Sequence, residues 1–356
     1  MTSPDQINVQ EKMPLAPLTT LQVGGPARFF VRAGTEAEVV AAFKYAYQNK
    51  LRVFVLGGGS NVLVSDDGFD GLVIQVALQG IATSATPEPC AEGDVRIIAQ
   101  AGEDWDQFVK FCVERNLAGL ECLSGIPGFV GGTPVQNVGA YGQEVSESIC
   151  SVRCFDRSTR EIVKLTNSEC GFSYRTSIFN STERDRYVVL AVTYALIPNG
   201  PPRIAYKDLN EYFSGREPTL TEAREAVLKI RRSKSMVLDP EDPNSRSAGS
   251  FFKNPIVTTE QFEKIAANFR SGTVPHFPAG QGSIKIPAAW LIEQSGFSKG
   301  YRLGNAGISN NHSLALVNFS DASAAEIVGL KENIQAGVLQ KFDILLQPEP
   351  VFIGFK

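Results

Sequence analysis

Two glycine-rich segments interrupt a chain that otherwise reads as alternating strands and helices. The first, GGGSN at 57–61, follows the apolar stretch LRVFVL (51–56), which we predict to be a buried strand. The second runs from 119 to 145 and has neither helical nor strand periodicity. A segment of this length without regular structure is usually functional or disordered, and its apolar content argues against disorder. We therefore expect both segments to surround a ligand.

The first segment does not match a standard nucleotide-binding motif. Val62 stands where the third glycine of G-x-G-x-x-G belongs, and no G-K-[ST] sequence follows. The three glycines could thus form a plain turn between two strands. Ser60 and Asn61 favour a binding loop, because their side chains add hydrogen-bond donors that a plain turn does not need.

The second segment combines its glycines with Pro, Gln, Asn and Tyr. This composition suggests backbone wrapped around a flat or extended ligand. A cofactor with a pyrophosphate and a heteroaromatic ring needs both phosphate donors and hydrogen bonds to the ring edge. Two such segments in adjacent predicted α/β units are stronger evidence for a cofactor site than either one alone.

Length and charge limit the remaining classes of protein. At roughly 100–200 residues per domain, 356 residues indicate two or three domains. The net charge of −4 gives no overall basic field that would attract nucleic acid. The polar N-terminus lacks a secretory signal, and no apolar run is long enough to span a membrane. We expect a cytoplasmic protein with neither a nucleic-acid nor a membrane partner.

The scarcity of histidine excludes several chemistries. With only His276 and His312, the chain has no H-E-x-x-H motif and no paired Cys/His spacing, so we predict no metal site. No G-x-S-x-G elbow is present either, which disfavours a nucleophilic serine. We interpret His312 as a core or surface histidine without a catalytic task. The six scattered cysteines are predicted to be reduced and mostly buried thiols: Cys90, Cys112, Cys122, Cys150, Cys154 and Cys170.

Local signals place most of the regular structure. Capping boxes at Thr35–Glu38 and Thr219–Glu222 predict helix starts, and Asp104 precedes a third helix. We read residues 80–95 as a loop. Further helices are expected at about 260–269, 287–295 and 322–340, and strands at 62–64, 71–76, 95–102, 149–155, 161–165, 187–196, 344–346 and 351–355. The strands at 149–155, 161–165 and 187–196 should form an antiparallel meander. The strands at 344–346 and 351–355 should pair with each other around residues 347–350.

Six motifs occur in a fixed order along nearly the whole chain. They are TTLQVGGPA (19–27), VLGGGSNVLVSD (55–66), SGIPGFVGGTPVQNVGAYGQEV (124–145), YRTSIF (174–179), SAGSFFKNP (247–255) and PEPVFIGF (348–355). On these motifs the chain resembles the UDP-N-acetylenolpyruvoylglucosamine reductase (MurB) family. The resemblance implies an FAD-dependent enzyme that uses NADPH to make a peptidoglycan precursor, reducing the enolpyruvyl ether of a UDP-sugar to UDP-N-acetylmuramate.

The resemblance also implies an architecture. The fold class is α+β, with a two-lobed FAD-binding fold of the vanillyl-alcohol-oxidase (PCMH) type and a C-terminal α/β substrate-binding domain. We expect lobe 1 at 1–78 together with a C-terminal strand at about 343–356, lobe 2 at 79–216, and the substrate-binding domain at 217–342. Periodicity alone indicates only a mixed α/β chain.

Three catalytic residues are implied by the family motifs. The proton-donor serine of G-S-x-F-K-N-P is Ser250, the arginine of Y-R-x-S-x-F is Arg175, and the glutamate of P-E-x-x-F-I is Glu349. An arginine fork suits a substrate carboxylate, and a hydroxyl can protonate a basic carbanionic centre within its reach. Ser250 is therefore read as a general acid. Glu349 either positions the intermediate or helps to reprotonate the serine.

The resemblance assigns binding residues as well. Non-covalent FAD would contact Gly57, Gly58, Gly59, Ser60, Asn61, Ser124, Ile126, Pro127, Gly131, Gly132, Thr133, Gln136, Asn137, Gly139, Ala140 and Tyr141. The UDP-sugar would contact Tyr206, Lys234 and Asn254. Lys234 could instead be a cation that stabilises a helix C-terminus. NADPH is expected to use the substrate site in turn, and the chain is expected to be a monomer.

Two other classes of protein remain open. One is a flavin oxidase or dehydrogenase of the same superfamily with a different substrate. The other is a non-catalytic protein that binds flavin or a sugar nucleotide. The joint presence of Ser250, Arg175 and Glu349 argues against the second, because binding alone needs no proton donor.

Overall fold

The computed structural model describes residues 7–84, 95–269, 272–280 and 282–355. The α-helices are α1 (Glu36–Gln48), α2 (Trp105–Glu114), α3 (Lys207–Phe213), α4 (Leu220–Ser233), α5 (Thr259–Asn268), α6 (Ala288–Gln294) and α7 (Ala324–Phe342). The strands are β1 (Gln10–Pro14), β2 (Pro26–Ala33), β3 (Val53–Leu56), β4 (Val62–Val64), β5 (Phe69–Val76), β6 (Ile81–Thr83), β7 (Val95–Gln100), β8 (Leu117–Ala118), β9 (Gly139–Ala140), β10 (Gln143–Glu144), β11 (Ile149–Asp156), β12 (Glu161–Thr166), β13 (Tyr187–Pro198), β14 (Ile256–Thr258), β15 (Phe277–Pro278), β16 (Ser283–Lys285), β17 (Arg302–Leu303), β18 (Ala306–Ile308), β19 (Leu316–Asn318) and β20 (Val351–Ile353).

The predicted helix starts are confirmed. At α1 the Thr35 hydroxyl accepts from the Glu38 amide at 3.2 Å, and the Glu38 carboxylate accepts from the Thr35 amide at 3.1 Å. The same reciprocal pair opens α4 at Thr219, while Asp104 caps α2. These bonds satisfy amides that have no partner within the helix, so local sequence alone fixes where each helix begins.

The chain divides into two compact units. The first comprises the described residues within Met1–Pro14, Pro26–Gly59 and Phe69–Val237, and the second those within Leu15–Gly25, Ser60–Gly68 and Leu238–Lys356. The division into two lobes and a third domain, with the boundaries given above, stays a prediction.

The first unit contains two main sheets. One has the order β1-β2-β5-β3, in which β5 runs parallel to β2 and to β3. The other is antiparallel with the order β12-β11-β13-β7-β6, and β8 also pairs with β13. The predicted meander of β11, β12 and β13 is thereby confirmed. The ring centroids of Phe108 on α2 and Tyr194 on β13 lie 5.0 Å apart in the buried core of this unit.

The described residues of the second unit form three short sheets and three α-helices. Its sheets have the orders β14-β16-β15, β17-β18-β19 and β20-β4. Its core lies between α6, α7 and the segment at Phe251–Phe252, both of whose aromatic side chains are fully buried. Strand β20 pairs in parallel with β4, which brings Val351 opposite Val62. This pairing positions the chain end around Glu349.

Three expectations about regular structure are wrong. Residues 344–346 do not form a strand, and β20 pairs with β4 instead. Hydrophobic content identified both apolar runs but could not identify the partner, and prolines at 348 and 350 limit backbone pairing between them. Strand β6 lies in a region read as a loop, and helix α3 was not predicted.

Among the described residues, no helix combines the length and apolarity that a membrane span requires.

Most of the cysteines match the expectation of buried thiols. Burial raises the pKa of Cys112, Cys122 and Cys170 to about 12, and it raises the pKa of Cys154 as well, so these thiols stay protonated. Cys150 is disulfide-bonded, which corrects the prediction of a reduced thiol at that position. Cys90 lies outside the described residues.

Candidate active site

The two glycine-rich segments touch within the first unit. A Cβ atom added to Gly58, just after β3, would lie 2.7 Å from the Cα atom of Gly128 and 2.9 Å from its carbonyl carbon. Only a residue without a side chain allows this approach of two backbones. The prediction that the two segments act together is consistent with this contact.

Two other glycines face open space. A Cβ atom added to Gly57 or to Gly132 would meet nothing within 4 Å, and neither residue has a positive φ. Neither packing nor backbone conformation therefore requires glycine at these two positions. Close approach of a bound group does provide a reason, and a flat cofactor lying against the backbone fits it.

Several polar residues of the second segment use their side chains internally. The Ser124 hydroxyl donates to the Glu121 carbonyl at 2.6 Å. The Thr133 hydroxyl lies 2.8 Å from the Val130 carbonyl and 3.1 Å from the Tyr194 hydroxyl. All of these hydroxyls are buried, so any contact of Ser124 or Thr133 with a ligand would involve the backbone.

Asn137 links the second segment to the turn that carries Arg175. Its amide donates to the Ser173 carbonyl at 3.1 Å and to a Glu144 carboxylate oxygen at 2.8 Å, and its side-chain oxygen accepts from the Ser146 amide at 3.1 Å. Asn137 is fully buried and has a φ of +44°. These bonds make the loop rigid. The other predicted contact residues of this segment are half-buried, except for the exposed Gly132: Ile126, Pro127, Gly131, Gln136, Gly139, Ala140 and Tyr141.

Arg175 lies at the tip of a tight turn. The amide and carbonyl of Ser173 exchange hydrogen bonds with those of Thr176 at 2.9 and 3.0 Å. Arg175 has a φ of +53°, a strained conformation for a large side chain, and its Nη2 donates to the Gly139 carbonyl at 2.8 Å. Strain of this kind persists only where the surroundings hold the residue in place. The arginine is thus held against the second glycine-rich segment.

A cationic cluster lies beside the same segment. The ring centroids of Tyr141 and Tyr206 lie 5.5 Å apart, with the two ring planes at a right angle. The Lys234 ammonium group forms an ion pair with the Asp208 carboxylate at 2.8 Å. Burial lowers the pKa of Lys234, but the hydrogen bond to Asp208 and the charge interactions with Asp208, Tyr141 and Tyr206 together outweigh it, so the pKa is raised and Lys234 stays charged. Tyr206 is half-exposed.

Sequence reasoning missed Arg231, which belongs to this cluster. Its side chain is only 7% exposed, and its Nη2 donates to the Met236 carbonyl at 2.6 Å. Its Nε is buried and has no hydrogen-bond partner among the described residues. A Cβ atom on Gly125 would lie 3.4 Å from this Nε. A buried cation with an unused donor is typical of an anion site, and the basic run at 231–234 was the available signal.

In the second unit, Ser250 lies on a firmly held bend. The Thr20 hydroxyl donates to the Ser247 carbonyl at 2.6 Å, and Gly249 takes a φ of +74°. Immediately after the serine, the side chains of Phe251 and Phe252 are buried to within about one per cent. The hydroxyl itself is half-buried. The bend therefore presents Ser250 from a rigid support.

Glu349 lies on a segment that is aligned with the serine segment. The Glu349 amide donates to the Phe251 carbonyl at 2.9 Å, and the Lys253 amide donates to the Gln347 carbonyl at 2.9 Å. Asn61, a predicted cofactor residue, donates from its side chain to the Glu349 carbonyl at 3.3 Å, and Ser60 precedes it on the same loop. Asn254 accepts from the first amide of α6 at 2.9 Å and so supports the helix start.

His312 was missed as a member of the site. Its Nε2 lies 3.3 Å from the Ser250 hydroxyl oxygen. The Phe251 amide donates to the Leu314 carbonyl at 2.7 Å, which places the His312 loop along the serine segment. Local sequence contained no signal for this contact, because it depends on which loop lies next to residue 250.

Comparisons with known proteins show which family the chain is similar to. A family model described as FAD binding domain matches residues 27–166, and one described as UDP-N-acetylenolpyruvoylglucosamine reductase, C-terminal domain, matches 240–353. A UDP-N-acetylenolpyruvoylglucosamine reductase of Thermobifida fusca is 44% identical over 351 residues, covering 96% of this chain and 97% of that protein. One of Streptomyces coelicolor is 46% identical over 352 residues, covering 96% and 89%. The crystal structure of the Thermus caldophilus enzyme aligns with a TM-score of 0.66 and 25% identity, covering 98% and 100%.

The fold and the glycine-rich segments define the class. The chain is α+β, with an FAD-binding domain, and it is a flavin-dependent oxidoreductase. The predicted α+β class with an FAD-binding domain is thereby confirmed. The chain belongs to the UDP-N-acetylenolpyruvoylglucosamine reductase (MurB) family.

Proposed function

We propose that the chain reduces the enolpyruvyl ether of UDP-N-acetylglucosamine to UDP-N-acetylmuramate, a peptidoglycan precursor, using FAD and NADPH. One observation carries this proposal: relatives with that reductase name match over 96% of the chain, including its FAD-binding and C-terminal domains. The cytoplasmic location, the monomeric state and the absence of membrane and nucleic-acid partners remain predictions.

The glycine-rich segments fit a non-covalently bound FAD. The open space at Gly57 and Gly132 admits a group that lies against the backbone, and the loop at 58–61 supplies amides and the Asn61 side chain. The chemistry that the cofactor supplies when bound is hydride transfer from NADPH to the vinyl carbon of the substrate. The protein must then stabilise charge and deliver a proton.

Arg175 is proposed to bind the substrate carboxylate. Hydride addition to the vinyl carbon places negative charge on the adjacent carbon and spreads it into that carboxylate. A planar guanidinium stays charged and can contact both carboxylate oxygens. The strained turn at Arg175 and its bond to the Gly139 carbonyl favour a fixed direction for this group, and a fixed donor stabilises developing charge most effectively.

Ser250 is proposed to donate the final proton. The electron pair of the enolate forms the new C–H bond, and the O–H bond of the serine breaks. A hydroxyl is a weak acid, but a carbanionic centre is basic enough to take its proton when the two are in contact. The rigid bend beneath Ser250 supports this reading, because general-acid catalysis depends on position before acidity. Glu349 either positions the intermediate or helps to restore the serine proton.

The cationic cluster is proposed to recognise the diphosphate of the UDP-sugar. Lys234 carries a charge, and Tyr206 offers a half-exposed hydroxyl and ring. Lysine binds phosphate well as a point charge. Asn254 uses its oxygen to support α6, which leaves its NH2 group as the donor for substrate.

An anaerobic flavin assay tests the proposed function. The purified protein should be yellow, NADPH should bleach it, and the enolpyruvyl UDP-sugar should then restore the colour without oxygen. Bleaching without reoxidation by that sugar would instead identify a flavin oxidoreductase with another substrate. A spectrum that does not respond to NADPH would point to a non-catalytic flavin protein.

A further inference from the structure

The Ser250 hydroxyl has a fixed polar neighbour that the proposed reaction has not used. His312 Nε2 lies 3.3 Å from Ser250 Oγ, and both groups are partly buried. A hydroxyl has one hydrogen to give. If that hydrogen were directed to the imidazole, it would not be available for a substrate carbon. The direction of this single hydrogen bond therefore decides whether Ser250 can act as an acid.

The loop that carries His312 is rigid. It joins β18 to β19, and the Ser309 amide donates to the Ala315 carbonyl at 2.9 Å while the Ala315 amide donates to the His312 carbonyl at 3.1 Å. Asn244 accepts from the Asn310 amide at 2.8 Å. These bonds hold the backbone of the loop at His312, so replacing the side chain should leave the loop folded.

The serine segment and the histidine loop are also joined through the backbone. The Phe251 amide donates to the Leu314 carbonyl at 2.7 Å, directly beside the contact between the two side chains. The pair is therefore preorganised rather than brought together by a flexible side chain. Preorganised donors are the groups that stabilise charge developing during a reaction.

We propose that His312 is a positioning residue that donates from Nε2–H to Ser250 Oγ. This direction leaves the hydroxyl hydrogen free for the substrate carbon. It also places a donor on the oxygen that gains negative charge when the O–H bond breaks and the new C–H bond forms. The proposal rests on the proposed function, because the acid role of Ser250 is what requires this direction, but the direction itself can be measured without any activity.

The first test is a spectroscopic one that needs no activity. His276 is the other histidine, and its Nδ1 lies 3.0 Å from the Val274 carbonyl, which can only accept. In ¹⁵N-histidine spectra of the FAD-loaded protein, His276 should carry a proton on Nδ1 and His312 a proton on Nε2. An Nε2 of His312 that bears no proton would overturn the proposal. The His276→Gln variant assigns the two rings.

The second test is a double-mutant cycle on turnover. Removing one donor to a developing anion lowers kcat about 10²–10³-fold, so His312→Ala should do so with little change in KM. His312→Gln, which keeps an Nε2–H donor, should recover most of the loss. In the Ser250→Ala background His312→Ala should have no further effect, because it acts only through the serine.

The outcomes separate this proposal from the function it rests on. Multiplicative losses in the double variant, or a His312→Gln variant as slow as His312→Ala, would overturn the positioning role while wild-type turnover still supported the reductase. Wild-type protein that NADPH bleaches and the enolpyruvyl sugar does not reoxidise would instead remove the proposed function. In all variants, bleaching by NADPH should stay nearly intact, because reduction of the flavin needs no proton from Ser250.

Discussion

Gly58 and Gly128 meet backbone to backbone, at a distance that would put an added Cβ atom on Gly58 2.7 Å from the Gly128 Cα atom. The contact joins the loop after β3 to the segment that follows α2. Neither loop can move away from this contact without the other losing its support. Because both loops are proposed to hold the flavin, this pair of glycines links protein stability to cofactor binding.

The first prediction separates these two effects. Gly58→Ala should lower the free energy of unfolding by about 1–3 kcal/mol, because the new methyl group meets backbone that has no room to move. Gly57→Ala and Gly132→Ala should leave the unfolding of the FAD-free protein unchanged, since nothing lies within 4 Å of the added atom, yet weaken FAD binding. Thermal melts without FAD and flavin retention on ultrafiltration measure the two quantities. Undiminished flavin affinity in both control variants would contradict the proposed cofactor site.

The second prediction concerns Ser250. Ser250→Ala should lower kcat about 10²–10⁴-fold, the range for loss of a general acid, and leave bleaching by NADPH nearly intact. Stopped-flow absorbance of the flavin separates the two half-reactions. The buried neighbours Phe251 and Phe252 keep the bend in place, so the unfolding midpoint should not change. Ordinary turnover in this variant would exclude Ser250 as the acid.

The third prediction concerns Arg175. Arg175→Lys keeps the charge but loses the planar fork, and kcat should fall about 10²–10³-fold. The exposed Arg184, which is 65% accessible, serves as a matched control for the same change. Steady-state kinetics measures both variants. Equal activity of the two would show that the carboxylate is bound elsewhere.

The fourth prediction concerns pH. Burial alone would raise the pKa of Asp106, but hydrogen bonds from Arg224 and from the Gly125 amide outweigh burial and hold that pKa below its usual value of 3.8. A carboxyl with a lowered pKa stabilises the folded protein above about pH 4, and this contribution is lost as pH falls through the folded-state pKa. Asp106→Asn should therefore lower stability by about 2 kcal/mol at pH 7, and the difference from wild type should shrink below about pH 4.

Urea unfolding at a series of pH values measures this dependence. Asp70→Asn is the control, because Asp70 pairs with Arg28 on the surface, where both side chains are more than half exposed. That variant should change stability by less than about 0.5 kcal/mol. A pH-independent loss in Asp106→Asn would indicate a packing effect rather than an ionic one.

The fifth prediction tests the proposed diphosphate site. Lys234→Met should raise KM for the UDP-sugar about 10–100-fold, the size of a lost charged hydrogen bond, with kcat less affected. Lys229→Met removes an exposed lysine of the same helix and should leave KM unchanged. An unchanged KM in Lys234→Met would favour the alternative that Lys234 only stabilises the C-terminus of α4.

Local signals predicted the elements better than their partners. The helix starts at Thr35, Asp104 and Thr219 depend on side chains within three or four residues, and all three are confirmed. The partner of β20 is a different matter. Apolar content predicted a strand at 351–355, and the structure has one at Val351–Ile353. Its pairing with β4 spans almost the whole chain, and periodicity carries no information about such a distant partner.

The candidate site divides in the same way. Motifs identified Ser250, Arg175 and Glu349 as candidates because each stands in a recognisable local sequence. His312 and Arg231 stand in ordinary polar or basic runs, and only the folded backbone reveals the serine contact of one and the unused buried donor of the other. Roles that depend on a neighbour from a distant segment are not encoded in any short window of sequence.

The parallel pairing of β20 with β4 has a consequence for biosynthesis. Residues 60–68 are made early, but they belong to a unit whose other members are 15–25 and 238–356. A nascent chain that has not yet passed residue 353 has no strand to place beside Val62–Val64, and nothing aligns Glu349 with the serine bend. The ribosome must therefore finish nearly the whole polypeptide before chemistry can begin, and premature termination should yield fragments that lack reductase activity.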